Sequence, residues 1–446
     1  MAGVVWAFLM PPAVSAAGKM EVPLVLVAPF VLLLVSIAAC PLVNAKWWHR
    51  HYPDVALSLG ATVAAYYLTA FRSAQGPAAV LHTAAEYVAF IALIGGLFIV
   101  SGGVAVRVKK PVSPAANTVL LLMGAVLANI VGTTGASMLL IRPYMNANQG
   151  RLRPLHVVFF IFIVSNCGGL LTPIGDPPLY LGFVKGVPFF WTTRWLGASW
   201  ALVVGALLAA FFVYDLWLAR SAEPGAKGLL PRIGVTARPV TLLLLVLMVA
   251  AVFIDPVLGK HINLHHVPVG ALVQIVLAVL AYATTPNATR EANDFSFEPV
   301  KEVGLLFAGI FLTMMPALAY LAANGTRLGV HSPTSFYFAT GSLSAMLDNA
   351  PTYLNFLQVA TAPDEVSRDR IHNLLATHDG RLTLEAISTG AVFFGAMTYI
   401  GNGPNFMVRA IAERAGVKMP SFFGYAGWAC LLLLPALVLH WLVVIR

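Results

Sequence analysis

Two aspartates stand where an apolar chain tolerates carboxylates least: Asp176, in Leu171-Thr172-Pro173-Ile174-Gly175-Asp176-Pro177-Pro178, and Asp348, in Leu347-Asp348-Asn349-Ala350-Pro351. An ionisable group within membrane hydrocarbon costs at least about 2.5–3.5 kcal/mol, so each marks a functional position by default. A buried carboxylate binds a cation or a proton, and competition between the two couples their movements. Asp176 also precedes Pro177 in the order of a helix cap followed by a first-turn proline, so a purely capping role is the alternative. Asn129, Thr133, Thr134, Asn166, Thr172, Asn349, Thr398, Asn402 and Asn405 supply neutral oxygen ligands near the same breaks. Each of these types also ties membrane helices together by hydrogen bonds, so ligation and structure compete as explanations.

The surroundings of Asp176 occur twice. Residues 169–178 align without a gap on residues 395–404, sharing glycine, threonine, isoleucine-glycine and a final proline, with Gly175 and Asp176 falling on Gly401 and Asn402. Four stretches interrupt apolar runs: 129–137, the segment around Gly175-Asp176, 348–352 and 401–405. A broken helix frees carbonyls for a cation and N-termini for an anion. Irregular backbone at membrane depth is tolerated only where it lines protein or a cavity. Paired breaks, one set per half, are the sequence pointer to a transporter's binding site.

The elements that must carry these breaks follow from composition. The 446 residues are 59% hydrophobic and 10% charged, the balance of a polytopic membrane protein. The formal charge of +9 resides in short loops and needs no nucleic-acid partner. Runs of about 20 apolar residues, enough to cross roughly 30 Å of hydrocarbon, fall near 22–43, 54–71, 83–106, 156–175, 195–219, 239–254, 268–286, 303–323, 385–402 and 422–444. Dyad alternation is lacking, so the class is all-α. The stretches 115–141 and 332–361 carry polar centres and read as re-entrant hairpins.

Arg107, Lys109, Lys110, Arg142, Arg151, Arg153, Lys227, Arg232 and Arg238 then share the cytoplasmic side, and the second hairpin opens from the opposite face. The expected architecture is two inverted repeats of five transmembrane helices plus one hairpin, 22–219 and 239–446, joined by a cytoplasmic linker, 220–238. Residues 1–21 read as a signal peptide or a short extra helix. Asp215 is expected to pair with Arg220, Glu86 to snorkel to the interface, the segment 362–384 to be a polar loop, and His261, His265 and His266 to lie in a loop. Cys40, Cys167 and Cys430 show neither disulfide nor metal spacing. No nucleophile–base motif points to an intramembrane enzyme, which stays a remote alternative.

With these residues laid out, the chain resembles the ion transporter superfamily of NhaD-type sodium/proton antiporters, arsenite permease/P-protein members and citrate and dicarboxylate carriers. Ser165-Asn166-Cys167-Gly168-Gly169 running into Thr172–Pro178 is similar to the permease signature, and Leu347-Asp348-Asn349-Ala350-Pro351 to an antiporter element. The resemblance implies opposed hairpins, alternating access and a homodimer in a bacterial-type inner membrane, without a cofactor. Sodium/proton antiport is expected, with Asp176 and Asp348 as the sodium ligands; citrate or dicarboxylate transport is the alternative. An aspartate where dicarboxylate members hold substrate works against a bare dianion and leaves a metal–citrate complex or a protonated substrate.

Overall fold

The computed structural model describes residues 13–14, 20–70, 75–108, 112–220, 230–255, 268–293 and 295–446. The His261, His265 and His266 cluster lies outside the described residues, as do 1–12, 15–19 and 221–229 of the expected leader and linker. Apolar runs become helices because hydrocarbon offers no partner for free backbone groups. In order these are α1 (Ala28–Ala70), α2 (Gln75–Ser101), α3 (Pro114–Ala147), α4 (Pro154–Ile163), α5 (Pro177–Lys185), α6 (Trp191–Arg220), α7 (Pro239–Ala251) and α8 (Val269–Thr284). The chain continues through α9 (Asn287–Ala292), α10 (Glu298–Asn324), α11 (Pro333–Met346), α12 (Asn349–Thr361), α13 (Arg368–Ala376), α14 (His378–Phe394), α15 (Gly403–Arg414) and α16 (Phe422–Ile445). Among the described residues, seven helices are long and apolar enough to cross a bilayer. The protein is an all-α polytopic membrane protein.

Two of the long helices, α1 and α3, are broken internally. Within α1 the backbone breaks at Asn44 (φ −151°, ψ 85°), separating the two expected apolar windows. The Asn44 side-chain oxygen accepts from the Trp47 N–H at 3.0 Å and so caps the second piece. Helix α3 turns at Gly132 (φ +79°), a conformation that glycine reaches without a side-chain clash. Its arms fold back on each other: Asn117 and Asn148 each donate an amide bond to the other at 3.0 Å. Across an unbroken helix those 31 residues would span roughly 46 Å. Helices α11 and α12 likewise reverse at Leu347-Asp348, bringing the Phe336 and Phe356 rings to 6.4 Å.

The helices leading into the two breaks are the most enclosed. From Val157 to Val164, in and just after α4, no residue is more than 1% exposed, and α14 is buried from Leu384 to Phe393. By contrast, α7 and α8 expose Leu243, Val246, Val276 and Val279, a face suited to lipid.

Several local expectations are corrected. Helix α2 stops at Ser101 rather than 106, and is followed by Gly102 and Gly103, where a Cβ would press into Phe295 or Thr285. The chain instead forms strand Val104–Val108, paired antiparallel with Ile233–Ala237, so the described end of the linker is built into a ribbon. The polar segment 362–384 holds α13 and the start of α14, capped by Ser367 and Thr377, which accept from Arg370 and Gly380 N–H.

Asp215, expected to pair with Arg220, faces the base of the first hairpin. It is fully buried and accepts from Arg151 Nη2 (2.5 and 2.6 Å), His156 Nε2 (3.1 Å) and Asn117 Nδ2 (3.0 Å). Four residues, from α3, the α3–α4 loop, α4 and α6, thereby clamp the open end of α3 to α6. Removing one partner of a buried pair strands the other charge. Asp215→Ala is therefore expected to destabilise the fold by about 3–5 kcal/mol, seen as a lower melting temperature in detergent, whereas Glu298→Ala, which removes an exposed ion pair at 4.0 Å, leaves it unchanged.

Candidate functional site

The two breaks are built alike. After α4 the chain passes through a 3-10 turn, Cys167–Leu171, and irregular backbone to Asp176; after α14 it passes through Gly395–Met397 to Asn402. Asp176 and Asn402 occupy the cap positions of α5 and α15 in extended conformations (φ −143° and −155°). Neither side chain caps its helix. Pro177 and Pro404 stand in the first turn, where their missing N–H groups leave fewer donors to cap. Both side chains are free to reach other elements, and they reach each other.

The Asp176 carboxylate accepts from Thr133 Oγ1 (2.8 Å) and Asn402 Nδ2 (3.1 Å) on one oxygen and from Asn349 Nδ2 (2.6 Å) on the other. The first hairpin, the second hairpin and the opposite break thus each contribute one donor. All three are neutral, and Asp176 is 1% exposed. The Oδ1 of Asn349, on a fully buried residue, has no hydrogen-bond partner. A buried carboxylate beside an unpaired amide oxygen is a donor set for a cation. A pocket of about 20 Å³, bounded by Thr133, Thr134, Gly175 and Asp176, adjoins the Asp176 side of this set, room for one water or one small cation.

The remaining expected residues divide into scaffold and wall. Asn129 spends its amide on backbone, donating to Ala125 and Gly168 carbonyls and accepting from Leu171 N–H. Asn166 donates to Asn405 Oδ1 (2.6 Å) and the Ile161 carbonyl, and accepts from Asn402 Nδ2. Asn405 in turn donates to the Gly395 and Thr398 carbonyls. These amides are satisfied and join one break to the other. Thr172 donates to the Asn129 carbonyl (2.7 Å) and Thr398 to the Ala345 carbonyl (2.6 Å), so each break is tied to the hairpin of its own half.

Gly175 contributes space and a carbonyl that accepts from Thr133 N–H at 2.8 Å. A Cβ there would lie 2.0 Å from the Gly169 carbonyl oxygen; at Gly401 it would lie 2.6 Å from that of Gly395. The same glycine pair closes both breaks.

Asp348 does not join Asp176 directly. Its carboxylate accepts from Ala350 N–H at 3.0 Å and caps α12, which aims the next side chain, Asn349, at Asp176. Asp348 also lines a cavity of about 200 Å³ with Thr134, Asn402, His49, Glu302 and Arg409. The last three were not singled out by sequence reasoning. The signal for Arg409 was an arginine about two turns beyond the Asn402 break, in the half-helix that the break begins. A second cavity of about 200 Å³ is lined by His82, Glu86, Lys185 and Gln358. There Glu86 is not snorkelling: it pairs with Lys185 at 2.6 Å and His82 at 3.1 Å.

Because the glycine contacts are backbone to backbone, no rotamer change relieves them. Gly175→Ala and Gly401→Ala are each expected to cost at least about 1–3 kcal/mol, lowering the melting temperature of the detergent-purified protein. Gly197→Ala, at a helical site with nothing within 4 Å, is expected to be neutral or stabilising.

A family model described as "Putative citrate transport" matches residues 19–445. No curated protein matches the chain. The match spans both hairpins, both breaks and the helices that enclose them. The chain belongs to this citrate-transport family, a citrate transporter-like branch of the ion transporter superfamily that its motifs resemble.

Proposed function

We propose that the protein is a secondary active transporter that carries citrate, or a closely related tricarboxylate, together with a cation. The observation that carries this reading is the wall of the large cavity in a citrate-transport chain: Asp348, Glu302 and Asn402, with Arg409 as the one lysine or arginine among its described lining residues. Two like charges 4 Å apart repel by about 4 kcal/mol at an effective dielectric of 20. A bare trianion is therefore disfavoured beside two carboxylates, and a cation must balance it. Asp176 and Asn349 Oδ1 are the proposed holders of the coupling cation, with Thr133 and Asn402 orienting the carboxylate. The substrate occupies the cavity beyond Asn402, under Thr134 and Asp348.

The two halves are proposed to be inverted repeats. The equivalent glycine pairs, the equivalent threonine tethers and the cap positions 176 and 402 support this, as does the distribution of positive charge. On the orientation that the charges favour, the cavity with Arg409 opens to the cytoplasm and the cavity with Lys185 to the other side. Re-entrance of both hairpins brings their tips to the midplane, where alternating access exposes the site to either face. Sodium/proton antiport is the second reading, favoured by the small pocket at Asp176, which has room for a cation alone.

Proteoliposomes separate the two. Saturable uptake of labelled citrate that rises with an imposed sodium, magnesium or proton gradient is expected; sodium-driven proton movement with no citrate uptake would establish antiport instead. Asn caps a helix as well as Asp, so Asp348→Asn is expected to reach the membrane at wild-type levels while citrate uptake falls at least tenfold. Unchanged uptake in that variant would reduce Asp348 to a cap.

A further inference from the structure

We propose that Arg409 reads a free carboxylate of the substrate in the large cavity, held ready for it by Tyr399 and Glu413; this rests on the carboxylate-transport reading above. Arg409 lies on α15, seven residues beyond Asn402, and lines the same cavity. Its guanidinium carbon stands 4.6 Å from the centre of the Tyr399 ring, and its Nε donates to Glu413 Oε1 at 2.9 Å. Stacking fixes the plane of the guanidinium, and the Nε bond fixes its rotation within that plane. The two terminal amino groups carry no hydrogen bond among the described residues. They form the fork that matches a carboxylate with two parallel bonds.

Tyr399 is itself immobilised. It is 1% exposed, its hydroxyl donates to the Pro420 carbonyl at 3.2 Å, and its ring packs 4.1 Å from that of Tyr425. Tyr425 donates in turn to the Ala396 carbonyl, at the 3-10 turn of the same break. The arginine platform and the Asn402 break are therefore one rigid unit. An arginine that served only to pair with Glu413 would need neither a buried aromatic platform nor a place in the cavity wall, since exposed pairs of this spacing form without them.

The charge balance assigns the substrate class more closely. With Asp348, Glu302 and His49 on the wall and a single guanidinium fork, the cavity offers direct bidentate binding to one carboxylate per substrate. The other carboxylates of a tricarboxylate must arrive neutralised by metal or proton. A monocarboxylate would satisfy Arg409 alone and gain nothing from the cation.

Transport kinetics in proteoliposomes test this. Arg409→Gln is expected to raise the KM for citrate at least tenfold with Vmax within twofold of wild type. Arg409→Lys keeps the charge without the fork and should recover less than half of that loss on a logarithmic scale. Tyr399→Phe keeps the ring and loses only the hydroxyl bond to Pro420, so it should raise KM less than Tyr399→Leu, which removes the platform, as expected for a positioning residue. Calorimetric titration of the detergent-purified variants with magnesium citrate gives the same ranking independently of transport, and Arg409→Lys decides the question if Arg409→Gln fails to accumulate. Citrate uptake by wild type with an unchanged KM in Arg409→Gln and Arg409→Lys would overturn this assignment alone. Absence of citrate uptake and binding in wild type would overturn the transport reading and this one with it.

Discussion

Everything in the centre of this molecule depends on one buried carboxyl group held by neutral dipoles. Asp176 receives three hydrogen bonds from Thr133, Asn349 and Asn402, and each donor belongs to a different interruption of the helical scaffold. In the ionised form each of these hydrogen bonds is worth about 1.5–3 kcal/mol, which offsets part of the cost of burying the charge. The group therefore holds four elements together while leaving room for a positive partner. The unpaired oxygen of Asn349 is the second contact proposed for that partner.

The rest of the architecture serves to bring those four interruptions to one place. Prolines at the start of α5 and α15 release the side chains of Asp176 and Asn402 from capping duty. Capping by Asp348 turns Asn349 inward. Gly132 reverses α3 so that Thr133 lies at its tip, and the Asp215 cluster closes the far end of that hairpin. Paired glycines let each break cross itself at backbone distance. A helix interruption is costly at membrane depth, and here the freed groups are taken up by Asn129, Asn166 and Asn405.

The sequence made the crossing legible but not its division of labour. Apolar runs, the internal match of 169–178 with 395–404 and the two acidic positions located the breaks, because burial and helix-breaking chemistry are local properties. Which amide is structural and which is free depends on partners far along the chain: Asn166 meets Asn405 across 239 residues, and Asp215 meets Arg151 across 64. No spacing rule encodes those contacts. Arg409 was missed for the same reason, since its role comes from stacking on Tyr399 and from a cavity wall that α1 and α10 complete. The end of the linker was misread because strand pairing with 104–108 is non-local.

The carboxylate reading and the cation reading meet in a single thermodynamic statement: if Asp176 holds the cation that balances citrate, each ligand must raise the affinity of the other by the same factor. The most direct measurement is calorimetric titration of citrate into the purified protein at several sodium and magnesium concentrations, with the reciprocal cation titrations at several citrate concentrations. The account predicts equal coupling factors of at least tenfold in the two directions, for at least one of the cations, and loss of that coupling in Asp176→Asn. Citrate binding that ignores both cations, or coupling that survives in Asp176→Asn, would contradict it.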